Sequence, residues 1–472
     1  MLGVLRRCSV VVLGLAPPAV AQPTDASPPP SSPPPYQKLR YDEDYRYLKI
    51  RDTRSDFWDP IKYIPLNDPG SGYLSLGGDV RERFERYENN RWNPASPDKD
   101  GYLLQRYLLH ADLHMGESVR VFGQLQSSLE DWRAGGPRAT DEDRADVHQL
   151  FGDLRLWSGD GDDSVILRLG RQEMLYGSQR LVSVRESPNI RRSFDAVRVL
   201  TRFGDWSVDG FLSRPVEDDR GSFDDWGDDH TSFWGVYTTH PIPSIKGAKF
   251  DLYYLGLRRP DAEFVQGTAD EVRHSVGSRV FGTRDGWDYN FEGVLQFGTF
   301  GDADILAWTL ASDTGYTFRS AAMTPRVGLR ADVISGDGRA GDGQLGTFNP
   351  LFPRGAYFGE IAVIGPGNLV DLHPSLDLHL SEHVKLTTDW DIFWRYSTGD
   401  GLYDNGGNVL RGPGGSGATF VGHQPSVGID WEIDRHTTLS ASYAHFFAGD
   451  FIRDTGPAKD IDFIAVWMTY RF

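Results

Sequence analysis

Apolar and polar residues alternate with a period of two through most of the chain from Tyr73 onward. The clearest case is residues 384–396, where Val, Leu, Thr, Trp, Ile, Trp and Tyr occupy every second position. Lys, Asp and Arg fall among the positions between them. Residues 287–297 and 326–333 repeat this pattern. A period of two is typical of β-strands whose two faces differ, so the chain is predicted to be all-β.

This alternation fits two architectures, a soluble sandwich with its apolar face inward and a membrane barrel with its apolar face outward. Many segments reach about ten residues, the length that a tilted strand needs to cross a bilayer. The connections also alternate between short ones and long polar ones, the long ones being residues 89–101, 131–146 and 400–419. Short periplasmic turns and long external loops are typical of outer-membrane barrels. The membrane barrel is therefore favoured.

The last strand supports the same interpretation. Apolar residues stand at every second position from Ile464 to the terminal Phe472. A terminal Phe on an amphipathic strand resembles the signal read by the barrel-insertion machinery, which makes that machinery an expected partner. The segments from Tyr73 onward predict a transmembrane antiparallel β-barrel of about 18 strands with long extracellular loops. Such a barrel leaves an aqueous lumen.

The N-terminal region has the composition of an exported protein. Residues 1–21 combine Arg6 and Arg7 with an apolar run and small residues at positions 19 and 21, which predicts a cleaved signal peptide. The single cysteine, Cys8, lies within it. Residues 22–35 are mostly Pro and Ser and predict a disordered tether. Residues 36–72 are expected to lie in the periplasm or over the barrel mouth, residues 73–472 to form the barrel, and the protein to reside in the outer membrane with its lipid as a partner.

The charge of the chain and its choice of basic residues limit the class of solute that it is expected to bind. The formal net charge is -18 and the sequence pI is near 5.1, which argues against nucleic acid as a partner. Arg outnumbers Lys by roughly five to one. The planar guanidinium suits carboxylates and phosphates, although a GC-rich genome also enriches Arg codons.

Two segments look like loops inside the lumen. Residues 170–195 hold five Arg among turn-forming residues and cannot face hydrocarbon without a large energetic cost. They are either a constriction that attracts carboxylates or an Arg–Glu network that braces the wall. Residues 346–360 are too rich in Gly and Pro for a strand. They form either a loop folded over the pore, with Arg354 as a selectivity residue, or a plain surface loop.

Strand parity and these two segments together define the candidate residues of the pore. The pore-lining and selectivity candidates are Arg81, Arg83, Arg106, Arg120, Arg155, Arg168, Arg171, Arg180, Arg185, Arg191, Arg192, Arg326, Arg330, Arg354 and Arg395. The lumen acids expected to balance them are Asp79, Glu85, Asp195, Asp389 and Asp391. Any one of these Arg can instead belong to a salt-bridge network of the wall.

Several blocks of the sequence resemble the alginate-export family of outer-membrane proteins. They are GRQEMLYGSQRLVS, NIRRSFDAVR, GTFNPLFPRGAYFGE, DWDIFWRYSTGDGLYDNGG, HFFAGDFI and the terminal YRF. The resemblance implies an 18-stranded barrel with an electropositive constriction that passes an anionic uronic-acid polymer, without covalent chemistry. The main hypothesis is translocation of an anionic, alginate-like polysaccharide, with periplasmic secretion components as further partners. The alternative is an uptake porin for small anionic sugars or oligosaccharides.

Enzymatic interpretations are weaker. Asp389 with Asp391, or Glu173 with Asp195, can be viewed as the paired carboxylates of a glycosidase. Acidic pairs are common in barrel lumens, so no catalytic residue and no enzymatic activity are expected.

No cofactor or metal is expected from sequence spacing either. His110 and His114 share a strand face but lie too far apart to chelate an ion, and no zinc-binding pattern accompanies them. The Asp- and Gly-rich segments 337–342 and 400–407 are candidates for weak calcium binding only.

Overall fold

The computed structural model describes residues 33–66 and 72–472, so the predicted signal peptide lies outside the described residues. The second range forms an antiparallel sheet of 18 long strands that closes into a barrel. The predicted transmembrane β-barrel of about 18 strands is confirmed. In chain order the strands are β1 Gly72–Glu88, β2 Tyr102–Met115, β3 Val119–Asp131, β4 Asp143–Ser158, β5 Ser164–Gln172, β6 Phe194–Phe203, β7 Trp206–Glu217, β8 Ser232–Pro241, β9 Ala248–Phe264, β10 Gly267–Arg284, β11 Trp287–Phe300, β12 Ala303–Thr317, β13 Arg326–Ile334, β14 Leu369–His379, β15 Val384–Arg395, β16 Phe420–Glu432, β17 Thr437–Ala448 and β18 Ile461–Arg471.

The barrel closes between its first and last strands. β1 pairs with β2 along one edge and with β18 along the other. The register of the closing pair runs from Asp79 opposite Arg471 to Glu88 opposite Asp462. Closure pairs the backbone groups that an open sheet would leave exposed at its edges.

The two faces of the wall have opposite chemistry. Large apolar side chains point outward: Leu212 is 68% exposed and Leu310 is 59% exposed. Charged side chains point inward and are buried, among them Arg83, Arg106 and Asp332. A water-soluble protein would show the reverse arrangement. The outer face is therefore suited to hydrocarbon and the inner face to an aqueous, charged lumen.

The connections divide the barrel into two unlike ends. Short turns lie at one end, among them residues 116–118, 204–205 and 285–286. Long loops lie at the other end, among them residues 89–101, 173–193, 335–368 and 396–419. By the usual arrangement of such barrels, the turns face the periplasm and the loops face the exterior.

Shorter elements lie outside the wall strands. The N-terminal segment contains 3-10 helices Arg40–Asp42, Arg46–Lys49 and Arg51–Thr53, helix α1 Asp59–Lys62 and strand Ile64–Pro65. The loops contain 3-10 helices Asn90–Trp92 and Pro97–Asp100, helix α2 Asp450–Thr455 and strands Trp226–Gly227, Gln344–Leu345, Leu402–Tyr403 and Val409–Arg411. Across residues 33–66 and 72–472, no helix has the length and apolar character needed to span a bilayer.

The largest apolar core lies inside the barrel, near the loop end. It joins wall residues such as Phe194 and Phe393 to loop residues such as Val182, Phe348 and Tyr357. A core made of wall and loop side chains means that two long loops turn into the lumen. Their positions determine where the channel narrows.

The lumen constriction as candidate functional site

The N-terminal segment enters the lumen from the turn end. Arg40 donates a hydrogen bond to the carbonyl of Gly78 at 3.0 Å. The Tyr41 ring packs edge-on against Phe151 of the wall, with centroids 5.2 Å apart. The Tyr41 hydroxyl donates to the carbonyl of Glu173 at 2.8 Å. The segment therefore occupies part of the lumen and contacts the start of loop 173–193.

Loop 173–193 is attached to the wall by its backbone carbonyls. Arg81 of β1 donates to the carbonyls of Glu186 and Pro188, each at 2.9 Å. The buried Asn189 side chain donates to the carbonyl of Leu129 at 3.0 Å. Buried backbone carbonyls must find donors, and the inward-facing wall residues supply them. The loop is thus held inside the barrel.

The carboxylate of Glu186 is the centre of an Arg cluster. It forms ion pairs with Arg106 of the wall and with Arg191 of its own loop. Burial raises the pKa of Glu186, but the charges of Arg106, Arg191 and Arg81 outweigh this effect and hold the pKa below its ordinary value. Glu186 therefore remains ionised at neutral pH and fastens the loop to β1 and β2.

Loop 335–368 folds inward from the opposite side and meets loop 173–193. The backbone N–H of Phe352 donates to the carbonyl of Leu181 at 2.9 Å, and that of Arg354 donates to the carbonyl of Gln179 at 3.1 Å. The Phe352 ring packs against Phe194 of the wall, with centroids 5.2 Å apart. The two loops therefore form one partition across the lumen.

A cavity of about 280 Å³ lies where the partition meets β1 and β18. Its charged lining residues are Lys38, Arg81, Arg83, Arg354 and Arg471, together with Glu186 and Glu360. Five cations face two carboxylates, a local excess of three positive charges in a protein of net charge -18. We call this space the cationic cavity. Its positive potential concentrates anions.

Among the residues that the structure describes, four of these cations, Lys38, Arg81, Arg354 and Arg471, have no carboxylate within 4.0 Å, whereas Arg83 pairs with Glu360 at 2.8 Å. Arg81 is held by the carbonyls of Glu186 and Pro188, which leaves three cations without a strong partner. Burial lowers the pKa of Arg354 to about 10, with the charges of Arg330 and Arg180 adding to the effect. Arg354 is still cationic at neutral pH. The unpaired cations are therefore available to an anionic solute.

A second cavity of about 370 Å³ adjoins the first and shares Arg354 and Glu360 with it. Its charge balance is opposite to that of the cationic cavity, because three Arg face five carboxylates. These are Asp313, Glu360, Asp377, Asp389 and Asp430. The side of the lumen at β1 and β18 therefore has an excess of positive charge, and the side at β12 to β16 has an excess of negative charge.

Other predicted Arg residues are occupied by carboxylates. One of them, Arg171, is opposite the exposed Leu150 in register, so it lies on the outer face of β5 and not in the lumen. Arg168 and Arg171 bond Asp153 and Asp195 at 2.7 and 2.9 Å. Five further Arg residues form ion pairs with Asp. They are Arg120 with Asp112, Arg180 with Asp332, Arg185 with Asp218, Arg326 with Asp288 and Arg330 with Asp313. These pairs have the geometry of a bracing network.

Three predicted residues lie elsewhere. Arg395 donates to the carbonyls of Thr398 and Asp400 and lies 3.9 Å over the ring of Phe451, so it holds loop 396–419 and is not brought to the cationic cavity. Arg155 is exposed at the turn end and lines a separate cavity beside the N-terminal segment. Arg192 lies 5.1 Å over the ring of Phe352.

Four of the predicted lumen acids are on the inner face, whereas Asp195 has the parity of the exposed Val197 and Val199 and so lies on the outer face of β6, near the loop end. Asp79 lies 3.8 Å from Arg40, Glu85 bonds Arg83 at 2.6 Å, and Asp195 pairs with Arg171. Asp389 and Asp391 both flank His373.

Sequence reasoning missed four residues of the cationic cavity. Glu186 and Glu360 lie inside the two motifs but were not singled out. Arg471 could have been found from the parity of the last strand, which places it on the inner face with Thr469. Lys38 follows the Pro-rich tether, where no periodic pattern indicates its position.

A closed 18-stranded barrel with an apolar outer face and a charged, constricted lumen is that of an outer-membrane channel. Residues 72–465 match the model of the alginate export family, so the chain belongs to that family. No curated protein sequence is significantly similar to the chain.

Solved structures agree with this class. OccK3 (OpdO) of Pseudomonas aeruginosa is 11% identical, with a TM-score of 0.57 over 84% of this chain and 95% of that chain. OccK8 (OprE) of the same organism is 10% identical, with a TM-score of 0.56 over 84% of this chain and 98% of that chain. OccK2 (OpdF), in complex with glucuronate, is 12% identical, with a TM-score of 0.54 over 87% of this chain and 98% of that chain. At these identities the likeness shows a shared fold.

Proposed function

We propose that the protein conducts carboxylate-bearing saccharides across the outer membrane, with an anionic, alginate-like polysaccharide as its main substrate. The observation that carries this proposal is the set of unpaired cations, Lys38, Arg354 and Arg471, at the cationic cavity. Guanidinium groups bind carboxylates through two parallel hydrogen bonds. A polyuronate has one carboxylate on each sugar. As the polymer advances, the carboxylates of successive sugars can therefore bind the same cations in turn.

Conduction also requires that binding be weak. A site that holds an anion tightly would stall a polymer, whereas several moderate contacts let it advance. Arg83 and Arg81 are already engaged by Glu360 and by loop carbonyls, which leaves only part of the positive charge for the solute. This division of charge favours transient contacts.

The second candidate is uptake of small anionic sugars or oligosaccharides. It is supported by the size of the cationic cavity, about 280 Å³, which is lined by residues of both loops and of the N-terminal segment. It also accords with the fold relatives OccK2 and OpdK, whose structures hold glucuronate and vanillate, both carboxylates.

Single-channel recording in a planar bilayer tests both candidates. Anion over cation permeability is measured from reversal potentials for the wild type, Arg354→Gln and Arg471→Gln. Arg453→Gln in α2 is the matched control, because Arg453 is exposed, pairs with Asp450 and does not line either cavity. We expect the wild type to prefer anions, both lumen variants to lose part of that preference, and the control to retain it.

Addition of glucuronate and of oligouronates of increasing length then separates the candidates. If the current is blocked by all oligouronates and each block lasts longer as the oligomer grows, the polysaccharide is supported as the substrate. If glucuronate blocks the current and longer oligomers block it less, the uptake porin is supported. Cation preference without any block contradicts both.

A further inference from the structure

Three aspartates lie side by side on the inner face of three adjacent strands. Asp332 is on β13, Asp371 on β14 and Asp391 on β15, and each is at most 1% exposed. Asp332 and Asp371 are directly opposite in register. Like charges at such positions repel and destabilise a sheet. The row therefore needs positive charge or protons.

Among the described residues, arginine pairs with only one member of the row. Arg180 bonds Asp332 at 2.8 Å. Neither carboxylate oxygen of Asp371 accepts a hydrogen bond from any residue that the structure describes. Leaving a carboxylate buried, charged and unpaired is strongly unfavourable, because it loses its hydration without compensation. Asp371 is thus the carboxylate that a bound cation would stabilise most.

A histidine completes the cluster. Nδ1 of His373 lies 2.5 Å from Oδ1 of Asp391, and its Nε2 lies 3.5 Å from Oδ1 of Asp389. Donor atoms of Asp371, His373 and Asp391 all lie within 4.8 Å of one another. Arg330, opposite His373 in register, donates instead to the carbonyl of Tyr357 at 3.2 Å.

We propose that Asp371, His373 and Asp391 bind one divalent metal ion, with Zn²⁺ as the ion whose ligand preferences match. One imidazole nitrogen and two carboxylate oxygens form a mixed donor set that suits Zn²⁺ better than the all-oxygen preference of Ca²⁺. The two carboxylates offset the charge of the ion. Sequence spacing indicated no metal site because the ligands come from two strands and converge only in the closed wall.

The ion would also stabilise the partition. Gln424 donates both to Asp391 at 3.2 Å and to the carbonyl of Phe358 in loop 335–368 at 2.9 Å. The Phe358 ring packs against Phe393 of β15, with centroids 5.3 Å apart. Metal binding at the wall is thereby linked to the loop that carries Arg354. The site does not depend on which solute the channel passes.

The test uses the full-length barrel purified in detergent, treated with a chelator and then titrated with Zn²⁺. Binding is measured by competition with a chromogenic chelator, and bound metal by mass spectrometry. We expect one zinc ion per chain. Asp371→Asn and His373→Gln should each weaken binding at least about tenfold, the lower range found when zinc sites lose supporting groups. Asp377→Asn is the matched control, because Asp377 lies on the same face of β14 but pairs with Lys385.

Three results would overturn the proposal. One is a wild type that retains no zinc. Another is an Asp371→Asn variant that binds zinc as the wild type does. The third is an infrared band of a carboxyl group that shares a proton, if this band does not change when zinc is added. Such a band would mean that the carboxylates of the cluster share a proton and do not bind a metal ion. Folding of each variant is checked by heat-modifiable gel migration, and His373→Gln provides the comparison if Asp371→Asn does not fold.

Discussion

Arg354 donates its backbone N–H to the carbonyl of Gln179 at 3.1 Å, and this bond joins two loops that enter the lumen from opposite sides of the barrel. The side chain of Arg354 lines the cationic cavity beside Gln179. The contact that shapes the constriction and the charge that faces the solute therefore belong to the same residue. Changes that loosen the partition should alter conductance and selectivity together.

The anchor of the partition is Phe352, whose ring packs against Phe194 and Phe233 with centroids 5.2 and 4.8 Å apart. Replacement of a core Phe by Ala costs about 3–5 kcal/mol, and the partly exposed Phe352 belongs at the lower end. We expect Phe352→Ala to raise single-channel conductance and open-state noise, because loop 335–368 is freed. Phe223→Ala, at an exposed loop position, is the control and should leave conductance unchanged. Equal conductance of both variants would mean that the partition does not limit ion flow.

Acidification should release loop 173–193 through Glu186. Because the pKa of Glu186 is lowered in the folded protein, its carboxylate stabilises the docked loop above the ordinary glutamate pKa of about 4.3. This stabilisation is lost as the pH falls below that value toward the lower pKa of the folded state. Conductance should therefore stay constant from neutral pH down to about 5 and change only in more acidic solution.

Two variants check that the response belongs to this carboxylate. Glu186→Gln should show the released behaviour already at neutral pH, because Arg106 and Arg191 lose their shared partner. Glu217→Gln, at an exposed strand end, should titrate as the wild type does. A conductance change centred near neutral pH would point to another group.

The alternation of the sequence was enough to predict the strands and their two faces. Leu295 faces outward and its neighbour Gln296 is buried inside, as a period of two requires. Arg395 shows the limit of this reasoning, because strand alternation predicts the face of a residue but not its binding partners. It does face inward, but its guanidinium is capped by carbonyls of loop 396–419, and loop conformation has no periodic signature.

The constriction was only partly predictable for the same reason. Residues 346–360 were recognised as a loop by their Gly and Pro content, yet their contact with Leu181 and Gln179 depends on tertiary structure. The entry of Lys38 into the lumen depends on Arg40 and Tyr41, whose partners lie on distant strands. Such contacts join residues that are far apart in sequence, and no local pattern encodes them.

Arg40 should control whether the N-terminal segment stays in the lumen. It donates to the carbonyls of Gly78 at 3.0 Å and Phe472 at 2.9 Å. Hydrogen bonds to a charged group contribute about 1.5–3 kcal/mol each. We expect Arg40→Ala to speed chymotryptic cleavage near Tyr45 and Tyr47 and to raise conductance.

Arg46→Ala is the matched control for this experiment. The Arg46 side chain is 70% exposed and pairs only with Asp44 among the described residues. Its loss should leave both cleavage and conductance as in the wild type. Equal protease sensitivity of the two variants would show that Arg40 does not hold the segment.

The orientation of the wall predicts a sharp difference in stability between substitutions on the two faces of β11. Leu295 is 47% exposed on the outer face, whereas Asn290 faces the lumen. An Arg facing hydrocarbon costs about 2–4 kcal/mol near the bilayer midplane and much less toward the interfaces, because the charge loses its hydration. Leu295→Arg should therefore lower the free energy of unfolding, measured by urea titration in lipid vesicles. Asn290→Arg, which keeps its charge in water, should fold with the stability of the wild type. Equal stability of the two variants would mean that Leu295 does not contact lipid and that the faces of β11 are reversed.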